Sequence, residues 1–222
     1  MRSAWDYAER SAEFLRWAER LGAVENPLPV LRFGADKERY LTALAAADVP
    51  VVPTTFLHPG EPFRVPGEAF VVKPAISAGG RRSARFEAGD ARAAGLVEEI
   101  LAADETAMVQ PLVEGAAESS LVHIDGAYSH SLSRRAELPL GAAQEALYLE
   151  EELGPHAASD TERRVAAAAL VLAPASTLYA RVDLLGGRVL ELEVVEPSLY
   201  LSYDPPSADR LAAAIAARLQ RP

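Results

Sequence analysis

Apolar residues first recur at helical spacing near the start of the chain, where Ala8, Phe14, Leu15, Ala18 and Leu21 align across residues 7–21 among Glu and Arg. A second helix is expected over 36–47, with Tyr40, Leu41 and Leu44 on one face and Asp36 as N-cap. Residues 50–53, bounded by prolines, start a short extended segment, and a Pro/Gly-rich loop follows at 58–62. The apolar run 69–73 reads as a buried strand, followed by the small-residue turn 75–80 and another extended stretch to Phe86. A helix over 91–102 and a strand over 107–110, stopped by Pro111, complete the first half.

The second half is richer in hairpins. Residues 119–124 and 128–133 flank Asp125-Gly126, a two-residue turn signal, and 177–185 and 188–195 flank Gly186-Gly187. Between the hairpins, 137–155 is acidic and irregular, and 161–172 is helical. The chain closes with a helix over 207–219, capped by Ser207 with Asp209 in its first turn. Helices mixed with antiparallel hairpins indicate an α+β fold rather than a doubly wound parallel sheet.

The last hairpin carries the most specific pattern. Both arms alternate, so Val182, Leu184, Leu190, Leu192 and Val194 should cover one face, and Arg181, Asp183, Glu191 and Glu193 the other. With the loop centred on Gly187, Asp183 pairs with Glu191 and Arg181 with Glu193. Like charges directly opposite each other destabilise a sheet. A cation held between Asp183 and Glu191 would remove that penalty, and three carboxylates on one face suit Mg²⁺ shared with substrate phosphates. A solvated face with a weak Arg181–Glu193 pair is the alternative.

Charge narrows the partners. The 222 residues include 32 acidic and 22 basic ones, for a net charge of −10. That balance argues against nucleic acid or an anionic membrane as partner. Cysteine is absent, which excludes disulfides, thiolate metal sites and thiol nucleophiles. No apolar run approaches the roughly 18 residues of a membrane span, and the first six residues lack a signal-peptide stretch. A cytoplasmic protein is expected. His58, His123, His130 and His156 are scattered without ligand spacing, and none is given a catalytic role.

Of the 22 basic residues only Lys37 and Lys73 are lysine. Against such an arginine-favouring background, a retained lysine marks a place where a compact ammonium works and a planar guanidinium does not, or an accident. Lys73 ends an apolar strand just before Ser77-Ala78-Gly79-Gly80. Such a loop can fold backbone N–H groups over phosphates, with lysine as a point charge, or serve as an ordinary surface turn. It is not a Walker motif, because the lysine precedes the glycines.

In order along the chain stand Ala35-Asp36-Lys37, Val71-Val72-Lys73-Pro74 with Gly79-Gly80, and Met108-Val109-Gln110-Pro111-Leu112-Val113. Ile124-Asp125-Gly126, Ala180-Arg181-Val182-Asp183 and Glu191-Leu192-Glu193 with Pro197 follow. This ordered set resembles the ATP-grasp superfamily of carboxylate ligases, over about residues 30–204. The Arg-Val-Asp strand is similar to D-alanine–D-alanine ligases. The spacing from Asp183 to Pro197 is similar to bacterial glutathione synthetases, with Glu193 where those carry asparagine and Ser120 where they carry arginine. Trp5-Asp6-Tyr7 and residues 146–151 are similar to actinobacterial ATP-grasp enzymes, among them the O-ureido-serine cyclo-ligases of cycloserine biosynthesis.

The resemblance implies an ATP-grasp fold, two lobes with antiparallel sheets clasping nucleotide between them. Residues 1–36 would be the remnant of a preceding α/β domain and its linking helix, 37–110 the small lobe, and 111–222 the large lobe with the metal site. It implies ATP and Mg²⁺ as cofactors. Lys37 and Lys73 would contact phosphates, Gly79 and Gly80 would form the loop above them, and Glu118 would bind ribose. Gln110, Pro111 and Val113 would line adenine, the last two through a backbone C=O and N–H. Asp183, Glu191 and Glu193 would hold Mg²⁺, and Arg181 would stabilise transferred charge. Arg134 and Arg135 are candidates for substrate carboxylate or phosphate. The 142–144 region lacks the basic residue that many relatives place near the phosphates.

The implied reaction is ATP-dependent ligation of a carboxylate, through an acyl phosphate, to an amine-type nucleophile on a small amino-acid-like substrate. The alternatives are an ATP-binding module or truncated pseudoenzyme without ligase turnover, and phosphotransfer to a hydroxyl. A homodimer is compatible with the resemblance.

Overall fold

The computed structural model describes residues 5–21, 24–113, 115, 118–143 and 150–220. Gln144 and residues 146–149, singled out above, lie outside them. The expected N-terminal helix is divided into a 3-10 turn, Trp5–Ala8, and α1 (Ser11–Arg20). A further helix, α2 (Leu28–Gly34), forms with Pro27 at its N-cap and Pro29 in its first turn. Proline is tolerated there because the first helical N–H groups have no partner in the helix. Next comes α3 (Lys37–Ala46), whose N-cap is Asp36 as expected: its carboxylate accepts from the Glu38 and Arg39 amides at 3.0 and 3.4 Å.

The smaller sheet contains β1 (Thr55–Leu57), β2 (Phe70–Pro74), β3 (Ala84–Phe86) and β4 (Ala107–Pro111), in the order β1-β4-β2-β3, all antiparallel. Helix α4 (Ala93–Ala102) covers one face. Val97 and Ile100 pack on Val72 and on Phe70, which stacks with Phe86 at 5.5 Å. The other face, with Val71, Lys73, Arg85 and Gln110, is turned to the second sheet.

That sheet joins β5 (Glu118–Ile124), β6 (Ala127–Ala136), β7 (Glu151–Pro155), β8 (Tyr179–Leu185) and β9 (Arg188–Glu193) in the order β7-β6-β5-β8-β9. Asp125 and Gly126 have φ of 49° and 79°, the left-handed pair that a tight hairpin turn needs. Helix α5 (Asp160–Val171), started by the Ser159/Glu162 capping box, packs Val165, Ala166 and Ala169 on Leu121, Val182 and Leu192. Tyr40 and Leu44 of α3 enter the same cluster. The last helix is α6 (Pro206–Leu219). Among the described residues, no helix is long and apolar enough to cross a membrane.

Three expectations change. The acidic stretch 137–155 contains a strand, β7, because Glu151 and Glu152 lie in register with Ala136 and Arg135, opposite a basic arm. The final helix begins at Pro206, whose fixed φ suits its first turn, so Ser207 lies inside it, fully buried, rather than capping it. The β8–β9 hairpin turns tightly on Gly186-Gly187, and a bulge at Asp183/Leu184 then shifts the register by one. Asp183 still faces Glu191, and Arg181 faces Glu193. Leu190, expected in the core, is moved to the cavity, and Val189 takes its place there.

His123 on β5 is 2% exposed and meets the Tyr128 ring edge-on at 5.9 Å. Burial lowers its pKa from 6.5 to about 4. Between those values the unfolded chain binds a proton that the folded one refuses, so stability rises with pH. It is complete above about pH 6.5 and falls by about 3 kcal/mol on acidification toward pH 4. His123→Phe should flatten that limb in urea melts at pH 7, 6 and 5; an unaltered slope would contradict it.

Candidate active site

The two sheets face each other across a cavity of about 360 Å³. Its acidic wall follows directly from strand pairing. Arg181 and Asp183 alternate on β8, and Glu191 and Glu193 lie opposite on β9, so all four project from one face. Asp183, Glu191 and Glu193 each present a carboxylate oxygen within 4.8 Å of the others'. No solvated face of the kind weighed above is formed: Asp183 is wholly buried and Arg181 is 3% exposed.

Internal cations hold this cluster. Arg181 donates from Nε to Asp183 Oδ1 at 2.9 Å and from Nη2 to Asp183 Oδ2 at 2.9 Å, and lies 3.0 Å from Glu193. Ser120 donates to Asp183 Oδ1 at 2.7 Å. A hydroxyl thus joins the guanidiniums among the carboxylate's partners. Burial works against ionisation of Asp183, yet Arg134 and Arg181 bring its pKa below the usual range. Glu193 moves the other way, raised by burial despite Arg181.

Both lysines converge on Glu191. Lys73 Nζ donates to Glu191 Oε1 at 2.9 Å, and Lys37 Nζ lies 4.0 Å from the same oxygen. This joins the small sheet to the large one through a carboxylate held ionised by two ammonium groups, despite its burial. Lys37 is itself buried, which lowers its pKa; it donates to the Ser77 carbonyl at 2.7 Å and to its hydroxyl at 3.1 Å. It thereby anchors the loop in which Gly79 and Gly80 take φ of 63° and 72°.

The remaining residues predicted for the site are placed as follows. Gln110 turns its amide to Thr54 Oγ1 at 2.9 Å, and Pro111 and the exposed Val113 form the cavity's end where the chain passes between the sheets. Glu118 accepts from Arg134 Nε at 3.0 Å, and burial raises its pKa in spite of that guanidinium. Arg134 also donates to Glu151 and Asp183, each at 2.9 Å. Arg135 reaches the cavity from an exposed position. Every one of these residues except Lys37 and Asp183 lines the cavity, and those two touch residues that do.

Sequence reasoning missed Tyr7, Arg85, Glu196, Ser198 and Tyr200, which also line it. Tyr7 belongs to the Trp5-Asp6-Tyr7 segment, and Ser198 and Tyr200 follow Pro197 closely. Nothing in the pattern around Arg85 distinguished it from a solvent-facing strand residue.

A cleft between two antiparallel sheets, with a glycine loop and paired lysines on one side and an acidic ribbon on the other, defines the ATP-grasp class of ligases. No protein-family model matches the chain. It is 36% identical over 247 residues to the cycloserine biosynthesis protein DcsG of Streptomyces lavendulae, covering 99% of this chain and 82% of that protein. The crystal structure of D-cycloserine synthetase DcsG superposes with a TM-score of 0.83 at 34% identity, covering 99% and 82%. The ATP complex of D-alanine–D-alanine ligase from Bacillus anthracis shares the fold, with a TM-score of 0.67 at 17% identity over 96% and 81% of the two chains. So does the ATP-grasp ligase PsnB, solved with a precursor variant, Mg and ADP, with a TM-score of 0.60 at 21% identity over 94% and 67%. The chain belongs to the DcsG family of ADP-forming ATP-grasp carboxylate–amine ligases.

Proposed function

We propose that the chain joins a carboxylate to an amine-type nucleophile on a small amino-acid-like substrate, through an acyl phosphate formed from ATP. The observation that carries this is Glu191, held by Lys73 and Lys37 with Asp183 and Glu193 within 4.8 Å. A set of carboxylate oxygens on a rigid hairpin fits Mg²⁺, which prefers oxygen ligands and shares them with substrate phosphates. Asp183, Glu191 and Glu193 would hold it; when bound, it neutralises charge on the phosphates.

Lys37, Lys73 and the Gly79-Gly80 loop grip the polyphosphate. Gln110, Pro111 and Val113 enclose adenine, and Glu118 meets the ribose. The substrate carboxylate attacks the γ-phosphorus as its bond to the ADP oxygen breaks. The nucleophile then adds to the acyl carbon, inorganic phosphate leaves, and the amine loses a proton. Arg181 stabilises the developing negative charge in both steps. Arg134 and Arg135 lie on the substrate side, Arg134 fixed by three carboxylates and Arg135 at the exposed mouth. Little acid–base machinery is needed, because positioning and charge neutralisation dominate phosphoryl transfer. Relatives named for D-cycloserine and D-alanine–D-alanine synthesis support an amino-acid substrate.

The test is ADP release from Mg-ATP across D- and L-amino acids and O-ureido-serine, with hydroxylamine added to trap an acyl phosphate as its hydroxamate. Acceptor-dependent ADP and hydroxamate are expected. ATP binding without acceptor-dependent release would mark a nucleotide-binding module instead. Asp183→Asn should lower affinity for Mg-ATP by about 10- to 100-fold, since even outer-shell losses reach that range. Affinity for metal-free ATP should stay within about threefold. Equal losses in paired calorimetric titrations would remove Asp183 from the ligand set.

A further inference from the structure

Tyr200 follows β9 and leads into a 3-10 turn, Leu201–Tyr203, with φ 48° and ψ 38°. Left-handed backbone is unfavourable for a bulky side chain and persists only where the surroundings demand it. Here they do. The Tyr200 ring lies over the Arg181 guanidinium, 5.5 Å from its centroid, and its hydroxyl donates to Glu151 Oε2 at 2.8 Å. Glu151 Oε1 accepts from Arg134 Nη1 at 2.9 Å, Arg134 Nη2 donates to Asp183 Oδ2 at 2.9 Å, and Arg181 Nη2 donates to that same oxygen. The contacts form a closed circuit through β6, β7, β8 and the segment after β9.

Arg181 has two kinds of partner. Asp183 and Glu193 belong to the acidic trio, whose charge the proposed function uses elsewhere. The Tyr200 ring and the Ser198 carbonyl, 3.2 Å from Nη1, do not. We propose that Tyr200 is a positioning residue for ligation: its ring, held in place by a left-handed backbone, keeps the Arg181 guanidinium at the cavity however the trio's charge is engaged. This rests on the role given to Arg181 above.

Two substitutions test it on the intact chain. Tyr200→Gly removes the ring while favouring the left-handed backbone, so the turn is spared; Tyr200→Phe keeps the ring and loses only the hydroxyl. In Tyr200→Gly, exchange of the Arg181 Nε–H with water, followed by ¹⁵N NMR, should speed up about tenfold or more. Acceptor-dependent kcat should fall by about tenfold or more, with the Kd for Mg-ATP within about threefold of the parent. Tyr200→Phe should restore all three readouts to within about threefold. Unchanged Arg181 exchange in Tyr200→Gly would overturn the proposal. So would a Mg-ATP affinity that falls in step with kcat, since that marks a merely structural role, or a Phe variant as impaired as Gly. Arg181→Lys with full kcat would instead sink the role of Arg181, while the exchange measurement still decides whether Tyr200 holds it.

Discussion

Lys73→Ala should abolish useful binding of Mg-ATP, raising its Kd at least about a hundredfold, equivalent to about 3 kcal/mol. The ammonium lies near the end of β2, beside the glycine loop, and lines the cavity. Its loss removes the proposed phosphate contact and leaves Glu191 with Lys37 at 4.0 Å as its lysine partner. A carboxylate that two ammonium groups held ionised then repels the polyphosphate more strongly than before. Lys73→Arg should recover little, because a planar guanidinium cannot replace a point charge that shares one carboxylate oxygen with a second lysine. Isothermal titration of folded variant with Mg-ATP is the check. Affinity within about threefold of the parent would remove Lys73 from the phosphate grip.

The second large effect falls on stability. Arg134 bonds Glu118, Glu151 and Asp183 while it is itself 12% exposed, so Arg134→Ala takes a cation from three carboxylates, one of them wholly buried, and leaves Asp183 to Arg181 and Ser120 and Glu151 to Tyr200. Removing one partner of a buried ionic cluster typically costs about 3–5 kcal/mol, which for a chain of this size is a drop of about 6–20 °C in Tm. The sign of its pH dependence follows from burial. Glu118 already has a raised pKa with Arg134 present, and without the guanidinium it and Asp183 would take up protons more readily. A group whose folded pKa is raised loses its stabilising contribution as pH rises through that value, so the deficit should be widest near pH 8 and narrower at pH 5. Adding Glu118→Gln to Arg134→Ala should recover part of the loss. A deficit under about 1 kcal/mol at all pH values would mean that the cluster is solvated rather than buried.

How legible the site was depended on the range of the interaction. Asp183 and Glu191 could be paired from the hairpin alone, although the reason differs: a loop centred on Gly187 gives these pairs, and so does the tight turn plus bulge that the fold contains. The same bulge defeated the placement of Leu190, because one extra residue exchanges the faces locally. Strand β7 is not legible in the sequence because its edge position and charged residues erase the alternation that marks a half-buried strand. Its pairing relies on Arg135 across the sheet, which a local pattern does not contain.

What the sequence determined by itself is the local chemistry: the turns at Asp125-Gly126 and Gly186-Gly187, the Asp36 cap, the glycine loop after Lys73, and the alternation that puts three carboxylates on one face. These follow from backbone preferences and side-chain period within a few residues, which the chain carries wherever it folds. Tertiary structure alone decided that Lys37 and Lys73, 36 residues apart, share Glu191, that Arg134 is held by three acids, and that Tyr200 covers Arg181. Those contacts join elements distant in the chain. Their energies arise from burial and charge neutralisation between sheets, which no local pattern encodes.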